Sequence, residues 1–206
     1  MKLFYSPTSP FVRKVIVCAM ELGLDSNLQR HQAGANPIHR NLEIVAVNPL
    51  GQVPTLIDDD GMALYDSRVI CEYLDSQGES GLAGVGRMFP SGPVRWQALV
   101  EQSAGDGLLD AGLLCRYEAG RPEDKRFSDW TGGQMEKIAS ALDQFEKWAP
   151  KFGVRVDIGT ISIGCALGWF DFRFAAYGWR DSRPALANWF KTFDARPAMI
   201  VTRPTE

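Results

Sequence analysis

Three short stretches of the chain combine residue types that could do chemistry together. In TSPFVRKV, Thr8 to Val15, a serine precedes a proline that opens an apolar run of helical period. Ser-Pro is a standard helix entry, because the serine oxygen accepts an unpaired backbone N–H and the proline ring suits the first helical position. The same place favours an anion, since the unpaired N–H groups and the positive end of the helix dipole gather there. A thiolate bound beside Ser9 would be stabilised. A free thiol has a pKa of about 8.5, so only a few per cent is nucleophilic at neutral pH; lowering it by about two units is worth roughly 2.7 kcal/mol. One hydroxyl donor and a helix N-terminus can together supply that.

The second stretch is NPLGQVPTLI, Asn48 to Ile57, which puts Val53-Pro54 at the head of a strand. A cis bond there would turn the Val53 N–H and C=O outward, where an extended peptide could pair with them. A trans proline that merely opens a strand fits the same letters. The third is LYDSRVICEYLD, with Asp66 and Ser67 at a helix start. Both are ordinary capping residues. A carboxylate beside a hydroxyl and exposed helix amides can also hold an ammonium and a carboxylate at once, which is how an α-amino acid head group is gripped.

The elements that must position these groups follow from periodicity and turn chemistry. Lys2 to Tyr5 reads as a strand, and Pro10 to Leu22 as a helix whose apolar face is Phe11, Val12, Val15, Ile16, Ala19 and Met20, closed by Gly23. Asn27 to Gln32 is a second strand and Leu42 to Val47 a short irregular helix. Two apolar segments flank Asp58-Asp59-Asp60-Gly61 as a hairpin, and Ser67 to Asp75 forms a further helix. The order is βαβα-ββα. From Ser76 to Pro93 the composition turns to Gly, Ser and Pro, the expected domain boundary. Beyond it the pattern is helical, at Val94 to Tyr117, Ser128 to Trp148, Ile158 to Ala175 and Ala185 to Phe193. The expected division is therefore 1–78, a linker 79–93, and an all-helical domain 94–206.

Composition excludes several classes. The 206 residues carry a formal charge of -3 with acidic and basic residues interleaved, so no basic stripe offers itself to nucleic acid. No apolar run reaches the roughly 18 to 20 residues that span a bilayer, and the N-terminus has no signal-sequence pattern, so a cytosolic location is expected. Cys18, Cys71, Cys115 and Cys165 stand far apart in apolar helical patterns and are expected as reduced, packed thiols, without disulfide or metal. His31 and His39, the two histidines, lack a second ligand at metal-binding spacing. No Gly-x-Gly-x-x-Gly follows the first strand, which argues against a dehydrogenase.

Taken in order and at these separations, TSPFVRKV, NPLGQVPTL and YDSRVICEYLD resemble the N-terminal domain of the cytosolic glutathione S-transferases. ALGWFDFRF and RPALANWFKTFDARPA resemble the helical C-terminal domain of that family, so the likeness covers nearly the whole chain. It is nearest to bacterial members whose first helix begins Ser-Pro-Phe-Val-Arg-Lys. The resemblance implies α/β plus all-α architecture, a thioredoxin-like domain followed by a helical one. It implies that glutathione is co-substrate, with no metal, and that Ser9 donates a hydrogen bond to the glutathione sulfur. Val53 with a cis Pro54 would clamp the cysteinyl part. Asp66 and Ser67 would hold the γ-glutamyl group, and Gln52, or less directly His39, would face the glycyl carboxylate. Phe11 with Asp106, Asp110, Leu113 and Tyr117 on one helix face would line the electrophile pocket; a solvated acidic stripe at a domain or subunit contact is the other reading of that face. Tyr5 is a second hydroxyl near the first turn, read as a packed strand aromatic. Arg13 could pair across the domains, and Asp157 with Thr160 replaces the family's capping box with its polar types exchanged. Serine rather than cysteine at position 9 argues against thiol exchange. The family implies a homodimer and conjugation of a small apolar electrophile whose identity the sequence leaves open. A partner-binding protein that keeps the fold with little turnover is the alternative.

Overall fold

The computed structural model describes residues 1–78 and 87–205. In the N-terminal part the chain runs β1 (Lys2–Tyr5), α1 (Pro10–Glu21), β2 (Gln29–Gln32), α2 (Leu42–Val45), β3 (Thr55–Ile57), β4 (Ala63–Leu64) and α3 (Ser67–Gln77). The strands form one sheet in the order β2-β1-β3-β4, with β1 and β2 parallel and the other two pairings antiparallel. This is the expected βαβα-ββα domain. The acidic hairpin has a plain cause: Asp58 Oδ1 accepts the N–H groups of Asp60 at 3.0 Å and Met62 at 2.8 Å, and Gly61 takes φ 88°.

Alternation along the strands sorts the core. Leu3 and Leu56 belong to the main apolar core together with α1 and α3, whereas Phe4 packs with Ala33 and Ile44 of α2 in a smaller cluster. Helix α1 has no solvent face over its central turns: Val12, Val15 and Val17 are buried, and so are Arg13 and Lys14. Periodicity puts those two cations opposite the apolar stripe, where a lone amphipathic helix would show them to water. The helical part covers that side.

That part consists of α4 (Pro93–Ala119), α5 (Ser128–Phe152), α6 (Ile158–Arg173), α7 (Pro184–Phe193) and α8 (Pro197–Val201). Helices α4 and α6 approach so closely that a Cβ on Gly105 would lie 3.0 Å from the Ser162 carbonyl carbon, and one on Gly112 would meet the Trp169 ring at 2.7 Å. Both contacts join residues 57 positions apart, so the two helices run parallel. Asp157 caps α6 reciprocally: its Oδ1 accepts the Thr160 N–H at 3.0 Å, and its own N–H reaches Thr160 Oγ1 at 3.0 Å. The exchanged capping box keeps its function.

Several element limits move by one or two residues from the sequence reading, and three differences have a clear cause or consequence. Helix α5 does not stop at Trp148 but passes Pro150 to Phe152, because Ala149 and Phe152 are both buried and the Phe152 ring meets Trp189 at 4.7 Å. The gain in packing outweighs one absent N–H close to the helix end. Strand β2 begins at Gln29, since Asp25 to Asn27 form a turn of 3-10 helix. The short α8 is an addition; its Ala198 and Met199 are buried. Of the expected linker, residues 79–86 lie outside the described residues.

Candidate functional site

Strand register brings the three chemistry-bearing stretches to one end of the sheet. Phe4 pairs with Thr55, so the next residues outward, Tyr5 and Pro54, continue the row; Leu56 pairs with Leu64, which carries the row on to Asp66. With neighbouring strands about 4.8 Å apart, β1, β3 and β4 end within roughly 10 Å of one another. Helices α1 and α3 both start at this end and pack side by side, so two positive helix termini converge there.

Each stretch leaves hydrogen-bonding groups unengaged. Ser9 caps α1, its Oγ accepting the Val12 N–H at 3.3 Å, and among the described residues nothing accepts its hydroxyl proton. Capping therefore uses the lone pair and leaves the donor. The Val53-Pro54 bond is cis, and neither the N–H nor the C=O of Val53 has a partner among the described residues. The neighbouring Gln52 C=O is instead engaged, by Thr55 Oγ1 at 2.8 Å and Asn48 Nδ2 at 3.3 Å, which anchors the loop. Asp66 caps α3 through Oδ1, which accepts the Arg68 N–H at 2.8 Å, and its second oxygen is uncommitted. Ser67 is 2% exposed, and its hydroxyl makes no hydrogen bond among the described residues.

Comparison with known proteins assigns this arrangement. The glutathione S-transferase N-terminal domain family matches residues 8–77, and the C-terminal domain family of the same name matches residues 116–192. An uncharacterised GST-like protein of Escherichia coli (strain K12), YibF, is 31% identical over 99% of this chain and 98% of its own length. The chain belongs to the glutathione S-transferase family. Among solved structures, a glutathione transferase family member from Pseudomonas fluorescens Pf-5 with bound glutathione superposes with a TM-score of 0.95 at 38% identity, covering 100% of this chain and 99% of the other. A glutathione S-transferase from Methylobacillus flagellatus with glutathione bound gives 0.88 at 30% identity over 99% of each chain.

Within this family fold, the remaining expected site residues separate. Gln52 and His39 are exposed; Asn36 Oδ1 holds the His39 backbone N–H at 2.9 Å, and the Gln52 side chain has no protein partner among the described residues. Phe11 and Leu113 are half-buried against the core, whereas Asp110 and Tyr117 on α4 are exposed. Tyr5 packs against the core, as a strand aromatic should.

Asp106 departs from its expected place. It is 1% exposed, and both carboxylate oxygens are taken: Lys14 Nζ donates to Oδ1 at 2.6 Å and Arg68 Nε to Oδ2 at 2.8 Å. It belongs neither to a pocket wall nor to a solvated stripe. Such a carboxylate is buried because two cations from α1 and α3 meet it. The hydrogen bond from Arg68 to Asp106 also raises the guanidinium pKa above its ordinary value, and partial loss of water around Asp110, whose surface is otherwise exposed, with Asp106 one turn away, raises that of its carboxyl.

Lys14 and Arg68 are the residues that sequence reasoning passed over. Their signal was present: a lysine on a helix with few polar positions, and an arginine directly after the Asp-Ser pair. Only the fold shows that they share one carboxylate. The four cysteines are free and buried, and burial pushes the Cys165 thiol up to about 11. Among the described residues, no group of three or more His, Cys, Asp or Glu side chains is placed to hold a metal, and no helix is long and apolar enough to cross a membrane.

Proposed function

We propose that this protein is a glutathione transferase in which Ser9 stabilises the glutathione thiolate for attack on a small electrophile. The observation that carries the reading is the set of unengaged groups at one sheet end: the Ser9 proton, the Val53 N–H and C=O, the second Asp66 oxygen and the Ser67 hydroxyl. Glutathione presents a complement to each. Its γ-glutamyl ammonium suits Asp66, its α-carboxylate suits Ser67 and the α3 N-terminus, and its cysteinyl backbone suits Val53. Its sulfur then falls to Ser9 and the α1 N-terminus. Gln52 faces the glycyl carboxylate, with His39 the second candidate.

The chemistry is proton loss followed by bond formation. The thiol proton leaves to solvent, the sulfur lone pair forms the C–S bond, and the displaced electron pair departs with the leaving group or is protonated on the acceptor. Ser9 lowers the first cost by donating to sulfur and forms no covalent bond itself. In the same proposal residues 1–78 hold glutathione, and the helical residues 94–206 with Phe11 supply the electrophile pocket, through Asp110, Leu113 and Tyr117. The protein acts in the cytoplasm as a homodimer. A protein that kept this fold for partner contacts alone would have no need of so many unengaged groups.

Calorimetric titration with glutathione tests the site, with light scattering on the same sample. Saturable binding weakened at least tenfold by Asp66→Ala is expected, together with a mass of two chains. Unchanged affinity in Asp66→Ala would remove the γ-glutamyl assignment, and a one-chain mass at micromolar concentration would remove the dimer.

A further inference from the structure

The start of α1 carries charges of the wrong sign for a helix N-terminus. The positive end of a helix favours acidic side chains and repels cations. Yet α1 has no acidic residue in its first turn, and Arg13 and Lys14 follow directly on that turn, both buried. Withdrawing two cations from water beside a positive helix end is costly, and an anion bound at that end offsets the cost.

The partners of Arg13 tie the turn to the end of the chain. Its backbone N–H donates to the Ser9 C=O at 3.0 Å, so the two residues share one turn. Its guanidinium points to the helical part: Nη2 donates to the Met199 C=O at 2.9 Å, Nε donates to Thr202 Oγ1 at 3.3 Å, and Asp194 Oδ1 stands 3.6 Å from Nη2. Gly168 of α6 makes room for it, since a Cβ there would strike Nη1. Neutralisation is incomplete. Nη1 meets no hydrogen-bond acceptor among the described residues, and Asp194 is divided, its Oδ2 accepting from Arg203 at 2.6 Å. Asp106 is likewise divided between Lys14 and Arg68. The other ionisable groups facing α1 are Asp110 of α4, Cys71 and Asp75 of α3, Cys165 of α6, and Arg196, which pairs with Glu21.

We infer that Arg13 is a positioning residue for the thiolate. The chain end, through Met199, Thr202 and Asp194, holds Arg13 and with it the turn that Ser9 caps. The partly compensated guanidinium adds its field to that of the helix terminus in favour of a sulfur anion, and burial limits the screening of that field by salt. Asp194 has the opposing role, because its charge offsets that of Arg13. The inference rests on the reading that the glutathione sulfur lies at Ser9. Arg13 acts through the turn and through charge, without touching the sulfur.

Ultraviolet titration of the thiolate band of bound glutathione tests it in the full-length protein. Arg13→Met is expected to raise the midpoint by about half a pH unit or more. Arg13→Lys, which keeps the charge, is expected to stay closer to the parent, and Asp194→Asn to lower the midpoint. Loosened packing alone would move Arg13→Met and Asp194→Asn in the same direction. An unchanged midpoint in Arg13→Met, or an unchanged or raised one in Asp194→Asn, overturns the inference. The Asp194 side chain is 22% exposed and its amide is isosteric, so that variant decides the matter even if Arg13→Met does not fold. A parent that binds glutathione without a thiolate band would remove the Ser9 reading and this inference with it, whereas a band in the parent with unmoved midpoints in the variants removes this inference alone.

Discussion

At the scale of single residues, Ser9 is a helix cap whose proposed second role, hydrogen-bond donor to a thiolate, uses a different part of the same hydroxyl. The cap uses an oxygen lone pair toward Val12, and the proposed chemistry uses the proton, so neither role displaces the other. They separate on substitution. Replacing a serine cap by alanine costs about 1 kcal/mol of stability, while glycine costs only a few tenths. A hydrogen bond to a charged group is worth about 1.5 to 3 kcal/mol. Ser9→Ala and Ser9→Gly are therefore both expected to lower kcat/KM with glutathione by roughly ten- to a hundredfold, while only Ser9→Ala lowers the melting temperature appreciably. Full activity in Ser9→Gly would leave the residue as a cap alone.

At the scale of elements, the decisive packing is that of α4 on α6, where glycines replace side chains. Gly105 stands against the Ser162 carbonyl and the Ile163 nitrogen, backbone atoms that cannot turn aside, whereas Gly107, on the same helix, has nothing within 4 Å of where its Cβ would be. Alanine is the better helix former at both places by about 1 kcal/mol. Overpacking a closed contact typically costs about 1 to 3 kcal/mol. Thermal unfolding is expected to show Gly105→Ala less stable than the parent and Gly107→Ala equal or more stable. The opposite order would mean that α4 and α6 do not meet as described.

At the scale of the whole molecule, the two parts are joined by buried charge as well as by a continuous apolar core. Asp106 of α4 receives Lys14 from α1 and Arg68 from α3, the two helices whose N-termini face the proposed glutathione site. Glu21 and Arg196 form a second clasp, at 2.9 and 2.6 Å, between α1 and the approach to α8. A buried pair broken on one side leaves an uncompensated charge, costing about 3 to 5 kcal/mol, while an apolar replacement of both partners is often neutral. Lys14→Met, which leaves Asp106 with Arg68 alone, is thus expected to lose up to about 3 kcal/mol in urea unfolding, and Lys14→Met with Asp106→Leu to recover most of it. Arg68, whose side chain is 50% exposed, can turn to water in the double variant. A double variant no more stable than Lys14→Met would refute the pairing as the cause.

The sequence by itself determined whatever depends on near neighbours along the chain. The Ser9 and Asp66 caps, the Asp157–Thr160 box and the acidic hairpin turn close within four residues, so residue type and spacing specify them. The βαβα-ββα order followed by helices was legible for the same reason, since periodicity is local. Tertiary structure alone decided which groups remain unengaged and which are consumed. Lys14 meets Asp106 across 92 positions, and that contact turned an expected pocket residue into an interdomain anchor. Buried neighbours likewise carried α5 through Pro150. Local hydrogen bonds need only a backbone of known pitch, whereas the burial and pairing of charges depend on segments whose separation along the chain says nothing of their distance in space.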